Sequence, residues 1–227
     1  MNALVLFDID GTLVTGGPAK GAFQLALETV YGTTGPIESW EFSGKTDPQI
    51  ARELLRAAGL EDARIDEGLP GLWAAYLVEL ERRMPGEPTR SLPGVHSLLD
   101  TLEAEGDWGL GLLTGNVAPG AELKLGPVGL AGRFTVGAFG SDHELRNELP
   151  AIAMTRARDL WGVSFEPDRV VVVGDTPRDV ECGRAHGTRT VAVATGRYEA
   201  AELEATGADV VLEDLTDTPA VVRAFRG

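Results

Sequence analysis

An apolar strand that ends in two aspartates, close to the N-terminus, constrains this chain more than any other stretch. The apolar run Leu4-Val5-Leu6-Phe7 is followed directly by Asp8-Ile9-Asp10-Gly11-Thr12. A short apolar run bounded by turn residues is typical of a strand buried in a parallel sheet. Side chains alternate along a strand, so Asp8 and Asp10 leave its end on the same side, where they repel unless a cation or a proton lies between them. The pattern fits either a divalent metal site or an acidic turn at Asp10-Gly11.

Composition excludes several classes of function. The chain has 227 residues, a net charge of -15 and a pI near 4.6. Broad binding to nucleic acid or to an anionic membrane requires a basic surface, which this chain lacks. No apolar run approaches the roughly 20 residues of a membrane span, and the N-terminus does not resemble a signal peptide. We therefore expect a cytoplasmic protein, and its single cysteine, Cys182, agrees with a reducing compartment.

Periodicity divides the chain into two kinds of sequence. Residues 15–90 contain helical patterns and loops, with no strand pattern between them. We expect a Gly-rich turn from Val14 to Pro18, an N-cap of the second helix at Thr46 or Asp47, and a third helix from about Asp66 to Met84 whose apolar stripe includes Tyr76. From Ser91 onward, strand and helix patterns alternate, and the β-branched run from Val170 to Val173 predicts a central strand. Alternation of this kind indicates a parallel sheet with helices on both faces. We expect an α/β, doubly wound, Rossmann-like core formed by residues 1–14 and 91–227, with an all-helical insertion over residues 15–90.

Polar side chains follow three of the predicted strands at the point where each strand ends. Ligands of doubly wound sheets bind beyond the carboxyl ends of the strands, where these side chains are expected to meet. The strand-end residues are Asp8 and Asp10, then Thr114, Gly115 and Asn116, and finally Asp175 and Asp179. Three strand ends that all carry such groups favour the metal-site interpretation over the acidic turn.

Together these motifs resemble those of the haloacid dehalogenase-like hydrolase superfamily. In order and spacing, the resemblance is carried by Asp8-x-Asp10-Gly11-Thr12, Leu112-Leu113-Thr114-Gly115-Asn116 and Gly174-Asp175-Thr176-x-x-Asp179. The helical insertion is similar to the α-helical cap of the phosphoglycolate phosphatase and β-phosphoglucomutase branch. The resemblance spans nearly the whole chain.

The resemblance implies a Mg²⁺-dependent enzyme with a covalent intermediate. Asp8 would be the nucleophile that forms an aspartyl-phosphate, and Asp10 would be the general acid and then the general base. Thr114 and the backbone at Gly115 and Asn116 would hold the phosphoryl oxygens. Mg²⁺ would be bound by Asp8, by the backbone carbonyl of Asp10 and by Asp175, with Asp179 binding it directly or supporting its ligands. The chemistry itself requires such a cation, because a carboxylate attacks an anionic phosphate only when both are neutralised.

The basic residues depart from the family pattern. The family places a Lys upstream of the Gly-Asp motif, but lysine occurs only at positions 20, 45 and 124. Arg146, just before a predicted helix, is the favoured substitute, although Arg and Lys are not equivalent at such a site. Lys124 is the alternative candidate for this basic position. If it does not fill that position, we interpret it as an exposed residue of a surface helix. Lys45 either reaches the substrate from the helical insertion, or it is a solvated residue just before a helix.

These expectations define a phosphatase that acts on the phosphomonoester of a small metabolite, with 2-phosphoglycolate the nearest substrate of the family. A phosphosugar mutase on the same scaffold is the first alternative, and a catalytically silent binding or regulatory module is the second. The expected partner is a small phosphorylated metabolite, and neither nucleic acid nor a membrane is expected. The sequence leaves the oligomeric state open.

Overall fold

A six-stranded parallel sheet forms the centre of the molecule in the computed structural model, which describes residues 1–227. In chain order the strands are Ala3–Phe7 (β1), Val14–Gly16 (β2), Thr89–Ser91 (β3), Trp108–Thr114 (β4), Val136–Phe139 (β5), Val170–Gly174 (β6), Arg189–Val193 (β7) and Val210–Leu212 (β8). The sheet order is β5-β4-β1-β6-β7-β8, and every neighbouring pair is parallel. This order places β1 at the centre, between β4 and β6.

Helices cover both faces of this sheet. The helices are Ala19–Tyr31 (α1), Asp47–Ala57 (α2), Asp62–Arg83 (α3), Val95–Glu105 (α4), Ala118–Leu125 (α5), Leu149–Trp161 (α6), Pro177–Ala185 (α7), Ala200–Glu204 (α8) and Thr218–Arg226 (α9). Val5 and Phe7 of β1 pack in one hydrophobic cluster with α4, α5 and α9. Leu4 and Leu6 face the opposite way, into a cluster with α6 and α7. The predicted doubly wound α/β core is thus confirmed, because alternate residues of one strand serve both layers.

The first three helices form a separate hydrophobic cluster. Buried side chains from α1, α2 and α3 pack together there, among them Phe23, Leu54, Leu72 and Tyr76. The chain enters this segment through β2 and leaves it through β3, which pair antiparallel. The segment therefore departs from and returns to the sheet at adjacent points.

Several local predictions differ from the structure. Residues 14–18 were expected as a turn, but Val14–Gly16 is a strand because it pairs with residues 89–91, far away in the sequence. The third helix begins at Asp62 rather than near Asp66, and it continues through Pro70. None of the helices combines the length and the apolar character that crossing a membrane requires.

Candidate active site

The polar strand ends meet at the carboxyl edge of the sheet. Since β4, β1 and β6 are neighbours, the residues that follow them are brought side by side. Asp8, Thr114 and Asp175 are each no more than 5% exposed. They lie in the wall of a cavity of about 440 Å³, with helix α1, the loop before α2 and helix α3 on its other side. This volume is in the range of small-molecule binding sites.

Arg146 is the cation beside Asp8. A tight helical turn, Arg146–Glu148, directs its buried side chain to the strand ends from the start of α6. Its Nη2 lies 3.1 Å from Asp8 Oδ1 and 2.5 Å from Asp179 Oδ1. Burial raises the pKa of Asp8 to about 6, with Arg146 opposing the rise and the charge of Asp179 adding to it. One guanidinium thus compensates two buried carboxylates. The structure places Arg146, rather than Lys124, against Asp8.

The guanidinium of Arg146 also holds backbone groups. Nη2 donates to the carbonyl of Leu113 at 3.2 Å, and Nη1 donates to the carbonyl of Gly44 at 3.2 Å. Gly44 belongs to the loop that precedes α2. Nε is sealed from solvent and has no hydrogen-bond partner. A single arginine therefore joins the end of β4, the carboxylates and the helical segment.

Asp8, Asp175 and Asp179 form an acidic cluster, with one ligand atom from each lying within 4.8 Å of the others. Burial raises the pKa of Asp175 to about 8, and the charges of Asp179 and Asp8 add to this effect. Asp179 is fully engaged, because its Oδ2 accepts hydrogen bonds from the backbone N–H and hydroxyl of Thr176 while its Oδ1 contacts Arg146. Clustered carboxylate oxygens with a single neighbouring guanidinium fit a hard divalent cation.

Asp10 has its own cation, Lys124. Lys124 Nζ donates to Asp10 Oδ2 at 2.7 Å and to Asn116 Oδ1 at 2.6 Å. The Asn116 amide in turn donates to Asp10 Oδ2 and to the Thr114 hydroxyl, both at 2.8 Å. Burial raises the pKa of Asp10, but the charge of Lys124 and these hydrogen bonds outweigh it and bring the pKa below its ordinary value. The interpretation of Lys124 as an exposed surface residue is wrong: it is 4% exposed.

The loop before α2 lies directly on the loop that follows β4. The Asp47 N–H donates to the carbonyl of Gly115 at 2.8 Å, and the Val117 N–H donates to Asp47 Oδ2 at 2.9 Å. Gly115 has no room for a side chain, since a Cβ there would lie 2.1 Å from the carbonyl oxygen of Lys45. Thr46 caps α2 and also donates to a core carbonyl at 2.6 Å.

Lys45 lines the cavity. Its side chain is only 10% exposed, and its ammonium forms an ion pair with Glu53 and lies 5.5 Å from the centre of the Trp40 ring. The solvated interpretation of Lys45 is therefore wrong. The contact with Glu53 leaves the pair without net charge at the wall of the cavity.

Comparison with known proteins identifies the family. Residues 5–184 match the family described as haloacid dehalogenase-like hydrolase. The chain belongs to this family. This haloacid dehalogenase-like hydrolase groups with the phosphoglycolate phosphatase and β-phosphoglucomutase branch.

Three curated relatives of the hydrolase carry different names. It is 31% identical to a phosphoglycolate phosphatase from Synechococcus elongatus, over 94% of this chain and 93% of that protein. It is 30% identical to the tyrosine-protein kinase PtkA from Mycobacterium tuberculosis, over 94% of this chain and 69% of the kinase. It is 28% identical to an N-acetylmuramic acid 6-phosphate phosphatase from Pseudomonas aeruginosa, over 92% of this chain and 89% of that protein.

Solved structures share the fold of the hydrolase. A hydrolase from Pseudomonas syringae superposes with a TM-score of 0.70 at 22% identity, with 98% of each chain covered. CbbY from Rhodobacter sphaeroides, solved in complex with phosphate, gives a TM-score of 0.69 at 20% identity, with 96% of each chain covered.

Sequence reasoning missed several cavity residues of the hydrolase, among them Lys20, Asp47, Tyr76 and Arg197. Asp47 was considered only as a helix cap, and Tyr76 only as part of an apolar stripe. One signal was available, because lysine is scarce and all three lysines line this cavity. No comparable signal in the sequence marks Tyr76.

Proposed function

We propose that this hydrolase is a Mg²⁺-dependent phosphatase that cleaves the phosphomonoester of a small metabolite through an aspartyl-phosphate on Asp8. The observation that carries the proposal is that the two carboxylates after β1, Asp8 and Asp10, are paired with different buried cations. Arg146 lies 3.1 Å from Asp8, and Lys124 lies 2.7 Å from Asp10. Two adjacent carboxylates with different partners are suited to different tasks, one as nucleophile and the other in proton transfer.

The acidic cluster supports the proposed metal site. Asp8 and Asp175 would hold Mg²⁺ through their side chains, and Asp10 through its backbone carbonyl. When bound, Mg²⁺ neutralises the nucleophile and the phosphoryl oxygens, so that the two anions approach each other. Asp179 has both oxygens engaged by Arg146 and Thr176, so we assign it the role of orienting Arg146 and the loop after β6.

The residues of the chain then divide the reaction into two displacements. In the first, an Asp8 oxygen forms a bond to phosphorus and the ester P–O bond breaks. Asp10, which has to be protonated when this step begins although its pKa is lowered in the free protein, gives its proton to the departing alcohol. In the second, Asp10 takes a proton from water as the water oxygen attacks phosphorus, the bond to Asp8 breaks, and inorganic phosphate leaves. Thr114 and the backbone N–H groups after it hold the phosphoryl oxygens through both steps. Lys124 and Asn116 keep the Asp10 carboxyl oriented.

The helical segment would act as a cap over this chemistry. Its loop rests on Gly115 and contacts Arg146, and Lys45 and Tyr76 line the cavity above the strand ends. A closed cap of this kind excludes water during the first displacement, when water would compete with the Asp8 carboxylate as the attacking nucleophile. We keep residues 15–90 as the proposed cap and residues 1–14 and 91–227 as the proposed catalytic core, with Lys45 as a substrate contact.

The experiment is a phosphate-release assay with p-nitrophenyl phosphate and a panel of small phosphorylated metabolites that includes 2-phosphoglycolate. We expect turnover that requires Mg²⁺ and stops with EDTA. Asp8→Asn should abolish turnover and leave the circular dichroism spectrum unchanged. The matched control is Asp168→Asn, an exposed position remote from the cavity, which should retain activity. Metal-independent turnover, or substantial turnover by Asp8→Asn, would contradict the proposal.

A further inference from the structure

The part of the cavity that faces away from the strand ends is lined by both apolar and polar side chains. Its apolar members come from the helical segment: Ala19, Phe23, Phe42, Ile50 and the ring of Tyr76. Phe23 meets the Tyr76 ring edge-on, with ring centres 5.5 Å apart. Asp47 is a carboxylate on this same side. The leaving group of a bound phosphomonoester would occupy this region, because the phosphoryl group is held at the strand ends.

Two polar groups here have unused hydrogen-bonding capacity. The Tyr76 hydroxyl makes no hydrogen bond within the protein, although the residue is only 1% exposed. Asp47 Oδ2 accepts from the Val117 N–H, while Asp47 Oδ1 accepts no hydrogen bond from the protein. The one fully sealed polar side-chain atom without a partner is Arg146 Nε, so the free atoms of Tyr76 and Asp47 are open to the cavity. A buried polar group without a partner is costly, and a ligand that pairs with it recovers that cost.

Each cationic side chain of the cavity, in contrast, already has a carboxylate partner. The pairs are Lys20 with Glu38, Lys45 with Glu53, Lys124 with Asp10, Arg146 with Asp8 and Arg197 with Glu41. A second anionic group on the substrate would therefore find no unpaired cation in this cavity. It would also be repelled by the negative charge of Asp47, which lines the same side of the cavity.

Resting on the proposed phosphatase activity, we propose that Asp47 and Tyr76 determine specificity by binding a hydroxyl group of the leaving alcohol. The substrate would be a phosphorylated polyol or sugar rather than a phosphorylated carboxylic acid. Asp47 Oδ1 accepts a hydrogen bond from the substrate hydroxyl, and the Tyr76 hydroxyl donates a hydrogen bond to that hydroxyl's oxygen or to a neighbouring substrate oxygen. Aromatic faces beside them contact the C–H groups of the carbon chain. Burial raises the pKa of Tyr76 well above its usual value, with the charges of Asp47 and Asp10 adding, so the phenol stays protonated as a donor.

The test compares three phosphate esters of matched size: ethyl phosphate, 2-hydroxyethyl phosphate and 2-phosphoglycolate. They share the O–CH2 group and differ in the carbon attached to it, which is a methyl, a hydroxymethyl or a carboxylate group. We expect kcat/KM to be highest for 2-hydroxyethyl phosphate, by about tenfold over ethyl phosphate, as one good hydrogen bond gives. We expect 2-phosphoglycolate to be the poorest of the three. A higher kcat/KM for 2-phosphoglycolate than for 2-hydroxyethyl phosphate would overturn the inference.

Two variants assign the preference to residues. Tyr76→Phe removes one hydroxyl, and Asp47→Asn removes the charge while its amide oxygen still accepts from Val117. The ratio of kcat/KM for 2-hydroxyethyl phosphate to that for ethyl phosphate, about ten in the wild type, should fall by roughly 3-fold in Tyr76→Phe and by about 10-fold, to near one, in Asp47→Asn. Asp47→Asn should also improve the relative use of 2-phosphoglycolate. The matched control is Tyr31→Phe, whose hydroxyl donates to the carbonyl of Ile65 outside the cavity, and the ratio should not change.

The outcomes separate this inference from the proposed function. If p-nitrophenyl phosphate and all three esters are hydrolysed but neither variant changes the ratio, the role of Asp47 and Tyr76 is wrong and the phosphatase stands. If no ester is hydrolysed, the phosphatase is wrong, and calorimetric binding of the same three esters decides the ligand preference on its own. Tyr76→Phe keeps the test decisive if Asp47→Asn does not fold.

Discussion

Removing Arg146 should destabilise the fold as well as stop catalysis. Its guanidinium is the cation nearest to Asp8 and Asp179, and both carboxylates are buried. Truncation of one partner in a buried ion pair typically costs about 3–5 kcal/mol, since the other charge stays behind without compensation. We expect Arg146→Ala to lose stability in this range, which is a large share of the roughly 5–15 kcal/mol of a typical domain.

Arg146→Lys separates the charge from the geometry of the guanidinium. A lysine keeps a positive charge near the carboxylates, but a single ammonium cannot reproduce the donation to Gly44 and Leu113 from two nitrogens. These are two hydrogen bonds between a cation and neutral carbonyls at 3.2 Å each. Their loss is worth about 1–3 kcal/mol in total at the usual net value of a hydrogen bond. The expected order of stability is therefore wild type, then Arg146→Lys, then Arg146→Ala.

The pH dependence of Arg146→Ala gives a second check. Burial already raises the pKa of Asp8 to about 6, and loss of Arg146 removes the charge that opposes this rise. A carboxyl group whose pKa is raised in the folded state destabilises the folded protein at pH values above that pKa, where the group is ionised. The lost stability returns as the pH falls through the raised pKa and the group becomes protonated. The stability lost by Arg146→Ala should therefore be largest near pH 8 and shrink towards pH 5.

Urea unfolding followed by far-UV circular dichroism, with EDTA present, measures these differences. Wild type, Arg146→Lys and Arg146→Ala would be compared at pH 5 and pH 8. A surface substitution usually changes the free energy of unfolding by no more than about 0.5 kcal/mol. If the free energies of unfolding of Arg146→Ala and the wild type differ by no more than this at pH 8, the assignment of Arg146 as the compensating cation is refuted.

Three further substitutions test other contacts. Lys124→Met should lower kcat for alkyl phosphates by about 100-fold, because Asp10 loses the partner that orients it for proton transfer. The kcat for aryl phosphates should fall less, because their leaving group needs no proton. Equal losses of kcat for the two classes of substrate would contradict this. Lys45→Ala should raise KM about tenfold, as loss of one charged hydrogen bond does, and an unchanged KM would remove Lys45 from the substrate contacts. Gly115→Ala should lower kcat/KM, since its Cβ would meet the loop before α2 at 2.1 Å, whereas Gly126→Ala, with nothing within 4 Å, should be tolerated.

The sequence was sufficient to predict the core of the fold because its signals are local. The run from Val170 to Val173 is apolar and β-branched, and it is strand β6, paired on both sides by β1 and β7. Alternation of such runs with helical periodicity determines a parallel sheet without knowledge of any contact. Strand β2 could not be predicted in this way, since its pairing with β3 depends on residues that the whole helical segment separates.

The same distinction holds for the site. Asp8, Thr114 and Asp175 could be brought together by reasoning alone, because parallel strands end at one edge of a sheet. The position of Lys124 could not, since lysine is rarely buried unless it is paired and its partner Asp10 lies 114 residues away in the sequence. Tyr76 has the spacing of a core residue, and the opening of its hydroxyl to a cavity is a property of the packed structure.

Arg146 and Lys124, the two candidates for the basic residue of the family pattern, both belong to the site. The family pattern leads one to expect a single lysine at the nucleophile, and sequence reasoning therefore had to choose between Arg146 and Lys124. The geometry gives each a separate carboxylate, with Arg146 at Asp8 and Lys124 at Asp10. Only the forked side chain of Arg146 can contact Asp8 while it donates to the carbonyl of Gly44 in the helical segment. The substitution therefore keeps a cation at Asp8 and adds a direct link between Asp8 and the loop above it.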